Sequence, residues 1–151
     1  MRGKNTERDV RDVAERLRDA GLKLTAQRLA VVQCLVGDET HPTAQELFDR
    51  LRPTFPSMSF ATVYNTLAAL SSVGACSTVQ LGGAARFDPH VDAHDHLVCE
   101  QCGLVRDINT PVVRAQPARE HRGGQDARLS GFEVHRVERV YRGLCASCRK
   151  T

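Results

Sequence analysis

Apolar side chains recur at helical spacing through the first half of the chain. Val10, Val13, Ala14 and Leu17 stand at i, i+3, i+4 and i+7, so residues 6–20 read as an amphipathic helix closed by Gly21. Thr25 is placed as the N-cap of a second helix, with Leu29, Val32 and Leu35 or Val36 facing inward and Gly37 ending it. Thr43-Ala44-Gln45-Glu46 has the capping-box pattern, in which Thr and Glu three residues apart each satisfy a backbone N–H of the other. Leu47, Phe48 and Leu51 would then be buried. Pro53 and Pro56 punctuate a loop, after which Ser59 caps a helix over 60–73 with Val63, Leu67 and Leu70 inward and Gly74 as its stop.

Beyond Gly74 the period changes. Residues 76–81 and 84–88 read as two short strands around Gly82-Gly83, a two-residue hairpin signal. Helices followed by a small hairpin suggest a winged helix-turn-helix, whose last helix enters the DNA major groove while the wing lies on the backbone. Residues 91–93 are the expected hinge. From His94 on, strands are predicted over 94–99, 104–108 and 132–141. The stretch 111–130, with Pro111, Pro117, Gly123 and Gly124, reads as a loop with at most a short helix. The expected fold class is therefore α+β: a winged-helix domain at 1–90 and a small second domain at 94–151. At about 60 residues the second domain is marginal on core burial alone, so it needs a staple or a partner chain.

Composition adds three constraints. The chain is 41% hydrophobic and 26% charged, which fits an ordinary globular protein. No apolar run approaches the roughly 20 residues of a membrane span, and the charged N-terminus MRGKNTERDVRDV does not resemble a signal peptide. No membrane partner and a cytoplasmic location are expected. Charge says little about nucleic acid: the net +3 splits into 11 basic and 10 acidic residues over 1–90, and 10 and 8 over 91–151. The six cysteines say more, because a reducing compartment turns them towards metal or redox chemistry.

Cys99-Glu-Gln-Cys102 and Cys145-Ala-Ser-Cys148 are the ligand set of a tetrahedral four-thiolate zinc site. Such a site would tie the C-terminal strand back to the domain's first strand and supply its missing folding energy. A thioredoxin-like redox motif is the alternative, but it needs only one such pair. Four thiolates around Zn2+ would also reduce the formal charge from +3 to about +1. A second set comprises His41, Asp88, His94, His96 and Asp107. His94 and His96 fall on one face of a predicted strand, and the nitrogen and oxygen donors suit Fe2+ or Mn2+ while tolerating zinc or nickel. Each residue alone has an ordinary reading, His41 before Pro42 as a helix-start residue and the two Asp as strand-end caps; the inference rests on the set.

With Leu24-Thr25-Ala26-Gln27-Arg28, His41-Pro42-Thr43-Ala44, Ser59-Phe60-Ala61-Thr62-Val63-Tyr64-Asn65-Thr66-Leu67, Arg86-Phe87-Asp88, His94-Asp95-His96 and the two Cys-x-x-Cys pairs in place, nearly the whole chain resembles the ferric uptake regulator family, and within it the peroxide-responsive repressors. The resemblance implies a homodimer with a winged-helix DNA-binding domain, a C-terminal α/β dimerisation domain, a structural zinc on Cys99, Cys102, Cys145 and Cys148, and a regulatory metal between the domains on His41, Asp88, His94, His96 and Asp107. Iron sensors of the family usually carry Glu where this chain has Asp107, which favours the peroxide reading. The 111–130 segment is longer and richer in Pro, Gly and Arg than the family's usual helix there.

The implied function is metal-dependent repression on palindromic double-stranded operator DNA, with peroxide oxidising His41 or His94 of the iron form and releasing DNA. Closure around the ion would set the separation of the two recognition helices. Thr62, Tyr64 and Asn65 are candidates for DNA contacts, with Arg28 and Ser59 as phosphate anchors; half-buried packing of Tyr64 and an ordinary solvated face for Thr62 and Asn65 are the alternatives. Cys34 reads as a buried inert thiol, Cys76 has no assigned role, and His90, His121 and His135 are spare imidazoles. Iron, zinc, manganese or nickel sensing within the same family is the competing function. An enzyme is disfavoured, because no nucleophile elbow, phosphate-binding loop or His-Glu-x-x-His helix is present and no organic cofactor is implied.

Overall fold

A computed structural model describes residues 6–92, 94–108 and 139–150. The chain divides into two units, Met1–Val91 and Asp92–Thr151.

In the first unit the helices start and stop where local chemistry directs. Helix α1 (Thr6–Asp19) carries acidic residues in its first turn and basic ones in its last, and the chain leaves it through Gly21 at φ +83°. Helix α2 (Ala26–Leu35) is capped by the Thr25 hydroxyl, which accepts from the Arg28 amide at 3.3 Å. Its buried residues are Ala30, Val31, Val32 and Leu35, whereas Leu29, expected inside, is half-buried. The reason is that α2 packs against α1, α3 and α4 together, so its buried arc is wider than a single amphipathic stripe. Helix α3 (Ala44–Leu51) begins with the complete capping box: the Thr43 amide donates to Glu46 Oε2 at 2.7 Å and the Glu46 amide to Thr43 Oγ1 at 3.1 Å. Leu47 is fully buried, while Phe48 and Leu51 are half-buried against the core. Helix α4 (Phe60–Ser72) starts at Ser59, whose hydroxyl accepts from the Thr62 amide at 3.1 Å. Val63, Leu67 and Leu70 point inward as expected, joined by Thr66, whose hydroxyl is satisfied by the Thr62 carbonyl at 2.7 Å.

Strands β1 (Ser77–Val79) and β2 (Arg86–Asp88) pair antiparallel and form the wing, with Ser77 opposite Asp88 and Val79 opposite Arg86. The expected two-residue turn is corrected: the connection runs over residues 80–85. Pairing ends at Val79, Leu81 turns inward and is buried, and Gly82 and Gly83 take their positive φ inside the longer loop.

The second unit contains, among its described residues, a three-stranded sheet of order β4-β3-β5. Strand β3 (Asp95–Cys99) pairs antiparallel with β4 (Val105–Ile108) and parallel with β5 (Val140–Gly143). The first two strands each begin one residue later than expected. The third runs two residues past its expected end at Tyr141, because its parallel register with β3 continues to the pair Cys99 and Gly143. Ala93 of the expected hinge, residues 132–138 of the expected strand, the 111–130 segment, His121 and His135 lie outside the described residues. The molecule is thus α+β: a winged helix followed by a small domain with four cysteines clustered at one end of its sheet.

Candidate metal centres

The turn after β3 brings Cys102 back beside Cys99. The Gly103 amide donates to the Cys99 carbonyl at 2.9 Å, and Gly103 takes φ +72°. Past β5, the Arg149 amide donates to the Cys145 carbonyl at 2.9 Å, which folds Cys148 back towards Cys145 in the same way. The two turns are joined by a bond from the Cys145 amide to Cys99 Sγ at 3.3 Å. All four sulfurs lie within 4.8 Å of one another, with Cys102 Sγ 3.8 Å from Cys145 Sγ. Thiolates bound at ~2.3 Å in a tetrahedron stand about 3.8 Å apart, whereas a disulfide needs about 2.05 Å. The four residues therefore fit zinc.

Electrostatics favour the thiolate at two of the four, Cys99 and Cys145. Amide N–H groups of Cys102 and Cys145 bring the Cys99 thiol down to about 6, and the Cys148 amide also lowers Cys145. Cys148, hydrogen-bonded to Cys145 and Cys102, is pushed up to about 12, because without a cation the cluster holds its last protons there. A divalent ion replaces those protons.

The second candidate set divides between the units. In the first unit, His41 lies in the loop between α2 and α3, is 1% exposed and has φ +53°. That left-handed conformation costs a non-glycine residue of order 1–3 kcal/mol, so the surroundings must impose it. They do so from β2: Arg86 Nη1 donates to the His41 carbonyl at 2.9 Å, and the Phe87 amide donates to the Pro42 carbonyl at 2.9 Å. His41 Nε2 is 3.5 Å from Asp88 Oδ2, while Asp88 Oδ1 accepts from the His90 amide at 2.7 Å. One carboxylate oxygen is thereby fixed by backbone and the other faces the imidazole.

In the second unit, His94 Nδ1 is 2.7 Å from the Asp92 carbonyl. A carbonyl only accepts, so Nδ1 is the donor of this contact and Nε2 is the nitrogen turned towards His96 and Asp107, the arrangement in which histidine ligates metals. His94 Nε2 is 3.0 Å from His96 Nε2 and 3.3 Å from Asp107 Oδ1, and His96 Nε2 is 3.9 Å from the same oxygen. Two nitrogens at right angles on an ion bound at ~2.1 Å stand about 3.0 Å apart. The triangle is built by register, since His96 on β3 is directly opposite Asp107 on β4. Three converging nitrogen and oxygen donors, two of them on buried rings, fit a transition-metal cation.

The candidate DNA contacts are distributed on and beside α4. Tyr64 is exposed, which removes its half-buried packing alternative; Asn65 is exposed and Thr62 half-buried. Ser59 Oγ is engaged at the cap and lies 2.9 Å from Thr62 Oγ1, and Arg28 folds its guanidinium back to the Lys23 carbonyl at 2.7 Å. Sequence reasoning missed Phe60, which is exposed, stacks on Tyr64 with ring centroids 6.4 Å apart and meets Phe48 edge-on at 5.9 Å. The available signal was a large apolar residue off the inward face of the helix. Cys34 is half-buried, and Cys76 is buried, its sulfur 3.2 Å from Ser71 Oγ.

Residues 19–137 match the ferric uptake regulator family. The peroxide-responsive repressor PerR of Staphylococcus aureus (strain Mu50) is 34% identical over 147 residues, covering 95% of this chain and 93% of that protein. The structure of the Helicobacter pylori ferric uptake regulator Fur, reported to reveal three functional metal binding sites, superposes with a TM-score of 0.76 at 21% identity, covering 100% of this chain and 98% of that one. PerR from Streptococcus pyogenes, a structure concerned with peroxide sensing and gene regulation, gives a TM-score of 0.50 at 28% identity over 92% of each chain.

Proposed function

Because the chain belongs to the ferric uptake regulator family, we propose that it is a dimeric, metal-dependent transcriptional repressor that senses hydrogen peroxide, its regulatory Fe2+ or Mn2+ held by His41, Asp88, His94, His96 and Asp107 and its structural Zn2+ by Cys99, Cys102, Cys145 and Cys148. The observation that carries the reading is the convergence of His94 Nε2, His96 Nε2 and Asp107 Oδ1, with His94 Nδ1 donating to the Asp92 carbonyl. The named function of the S. aureus relative supports peroxide as the signal.

Ferrous iron held by these five residues would supply the reductive activation of peroxide beside their imidazoles, H2O2 being reduced to water overall as one ring gains an oxygen. His41 and His94 are the rings proposed to take up oxygen, and an oxidised imidazole is a poorer ligand. His41 and Asp88 belong to the winged-helix unit, and His94, His96 and Asp107 to the other. Binding by all five ties the two units, so its loss frees the spacing of two recognition helices in a dimer. Each α4 enters a major groove with Tyr64 and Asn65 towards base edges, and Thr62, Ser59 and Arg28 towards phosphates. The exposed Leu97 and Tyr141, paired across β3 and β5, together with Leu104 and Leu144, form an apolar face suited to a second copy of the chain.

The deciding experiment measures operator binding with Mn2+ or Fe2+, each with and without peroxide, alongside metal content and peptide masses. The expected result is peroxide-induced release of the iron form only, with one oxygen added to a peptide holding His41 or His94. An unmodified iron form that still releases DNA overturns the oxidation step. Peroxide-insensitive binding that follows zinc replaces the proposal with zinc sensing.

A further inference from the structure

We infer that Arg86 is the positioning residue of the regulatory ligand His41, and that it makes the wing part of the metal-sensing apparatus. The inference rests on the proposed reading of His41 as a ligand. His41 and Pro42 present their carbonyls to successive residues of β2: the first accepts from Arg86 Nη1 at 2.9 Å, the second from the Phe87 amide at 2.9 Å. Thr43, next in the chain, forms an isolated antiparallel bridge with Arg86. The loop carrying His41 thus runs alongside β2 as an added half-strand, and β2 ends at Asp88, the carboxylate facing the His41 ring.

Within this arrangement the Arg86 side chain holds the loop's backbone to the strand, beside the contact of the His41 ring with Asp88. Its Nη1 also lies 3.5 Å from Glu46 Oε2, the same oxygen that accepts from the Thr43 amide in the α3 capping box. One guanidinium therefore fastens the carbonyl of a left-handed, non-glycine residue and the cap of the next helix together. A His41 backbone free to relax from φ +53° would swing its imidazole away from Asp88. Arg86 also pairs with Val79 across the wing, so the position of the ligand loop is transmitted directly into β1. Both contacts run through Nη1, which carries two N–H donors; a lysine ammonium, with three donors on a more flexible stem, can keep part of the task.

The test is Mn2+ affinity of the purified, zinc-loaded protein by equilibrium dialysis, with zinc content and the unfolding midpoint of the manganese-free protein measured on the same samples. Arg86→Gln is expected to weaken Mn2+ binding at least tenfold while zinc content and midpoint stay at the parent values, and Arg86→Lys is expected to recover part of the loss. His41→Ala is the reference for the ligand reading. If His41→Ala weakens Mn2+ binding and Arg86→Gln does not, Arg86 has no positioning role and the site reading stands. If His41→Ala leaves Mn2+ binding unchanged, the site reading fails instead. A loss in both Arg86 variants that tracks a lowered midpoint overturns the inference in favour of a purely structural contact.

Discussion

Asp38 shows how a single residue after α2 is committed before any ligand is considered. Burial raises its pKa, but the Thr40 hydroxyl and amide, at 2.5 and 2.7 Å, and Arg50, at 2.5 Å, outweigh burial and hold the carboxyl below its ordinary value. A carboxylate depressed in the folded state contributes stability above its unfolded pKa, about 4, and loses it as pH falls through the folded value. Asp38→Asn is therefore expected to lower the thermal midpoint at pH 7, with the deficit shrinking towards zero as melts are repeated down to pH 3. Cys76 is constrained in the opposite sense: burial raises its thiol, the Asp88 charge adds to this, and the Ser71 hydroxyl only partly offsets them. It should stay protonated and resist alkylation by iodoacetamide at neutral pH in the native protein, and react once denatured; peptide mapping checks both states.

At the scale of elements, α4 must satisfy a core and a surface at once. Leu67 is fully buried beneath it, so Leu67→Ala is expected to cost about 2–5 kcal/mol, whereas Ser59→Ala removes a cap for about 1 kcal/mol. Denaturant melts distinguish the two. Asn65→Ala, on the exposed side, should leave stability within about 0.5 kcal/mol, and on the proposed DNA contact should lose about 1–3 kcal/mol of discrimination between operator and a base-substituted site, read by competitive gel shift. The helices were legible in the sequence because caps and period are local: Thr25, Thr43 and Ser59 all stand at N-caps. The wing loop was not, since Gly82-Gly83 carries a turn signal that the inward burial of Leu81 overrides. The metal ligands were legible as residue types. Arg86 as a clamp was not, because its carbonyl partner lies 45 residues away, and only the fold brings the two together.

For the whole molecule the cysteine cluster proposed to hold zinc is a staple of the second unit. It joins the turn after β3 to the turn after β5, a connection across 43 residues between Cys102 and Cys145. A structural zinc contributes on the order of 10–16 kcal/mol to such a fold, more than a small sheet supplies unaided. Removing it with a strong chelator, or by Cys102→Ser, is expected to unfold the second unit while the helical circular-dichroism signal of the first persists. Operator binding should be lost with it, since the proposed dimer face lies on the second unit. Simultaneous, cooperative loss of both units would refute this independence.

The five residues of β3 carry one further implication, about time. His96 and Cys99 lie three apart on that strand, so one points to each face, and the same backbone serves as a ruler for both metal sets. A slip of one residue would exchange the faces and destroy both together. Where zinc fixes the end of β3 through Cys99, metallation would acquire an order: zinc first, the sensing ion second. Manganese offered to zinc-free protein should bind weakly, and zinc added afterwards should restore tight binding. A cell short of zinc would then accumulate repressor that is blind to its signal before it has met any oxidant.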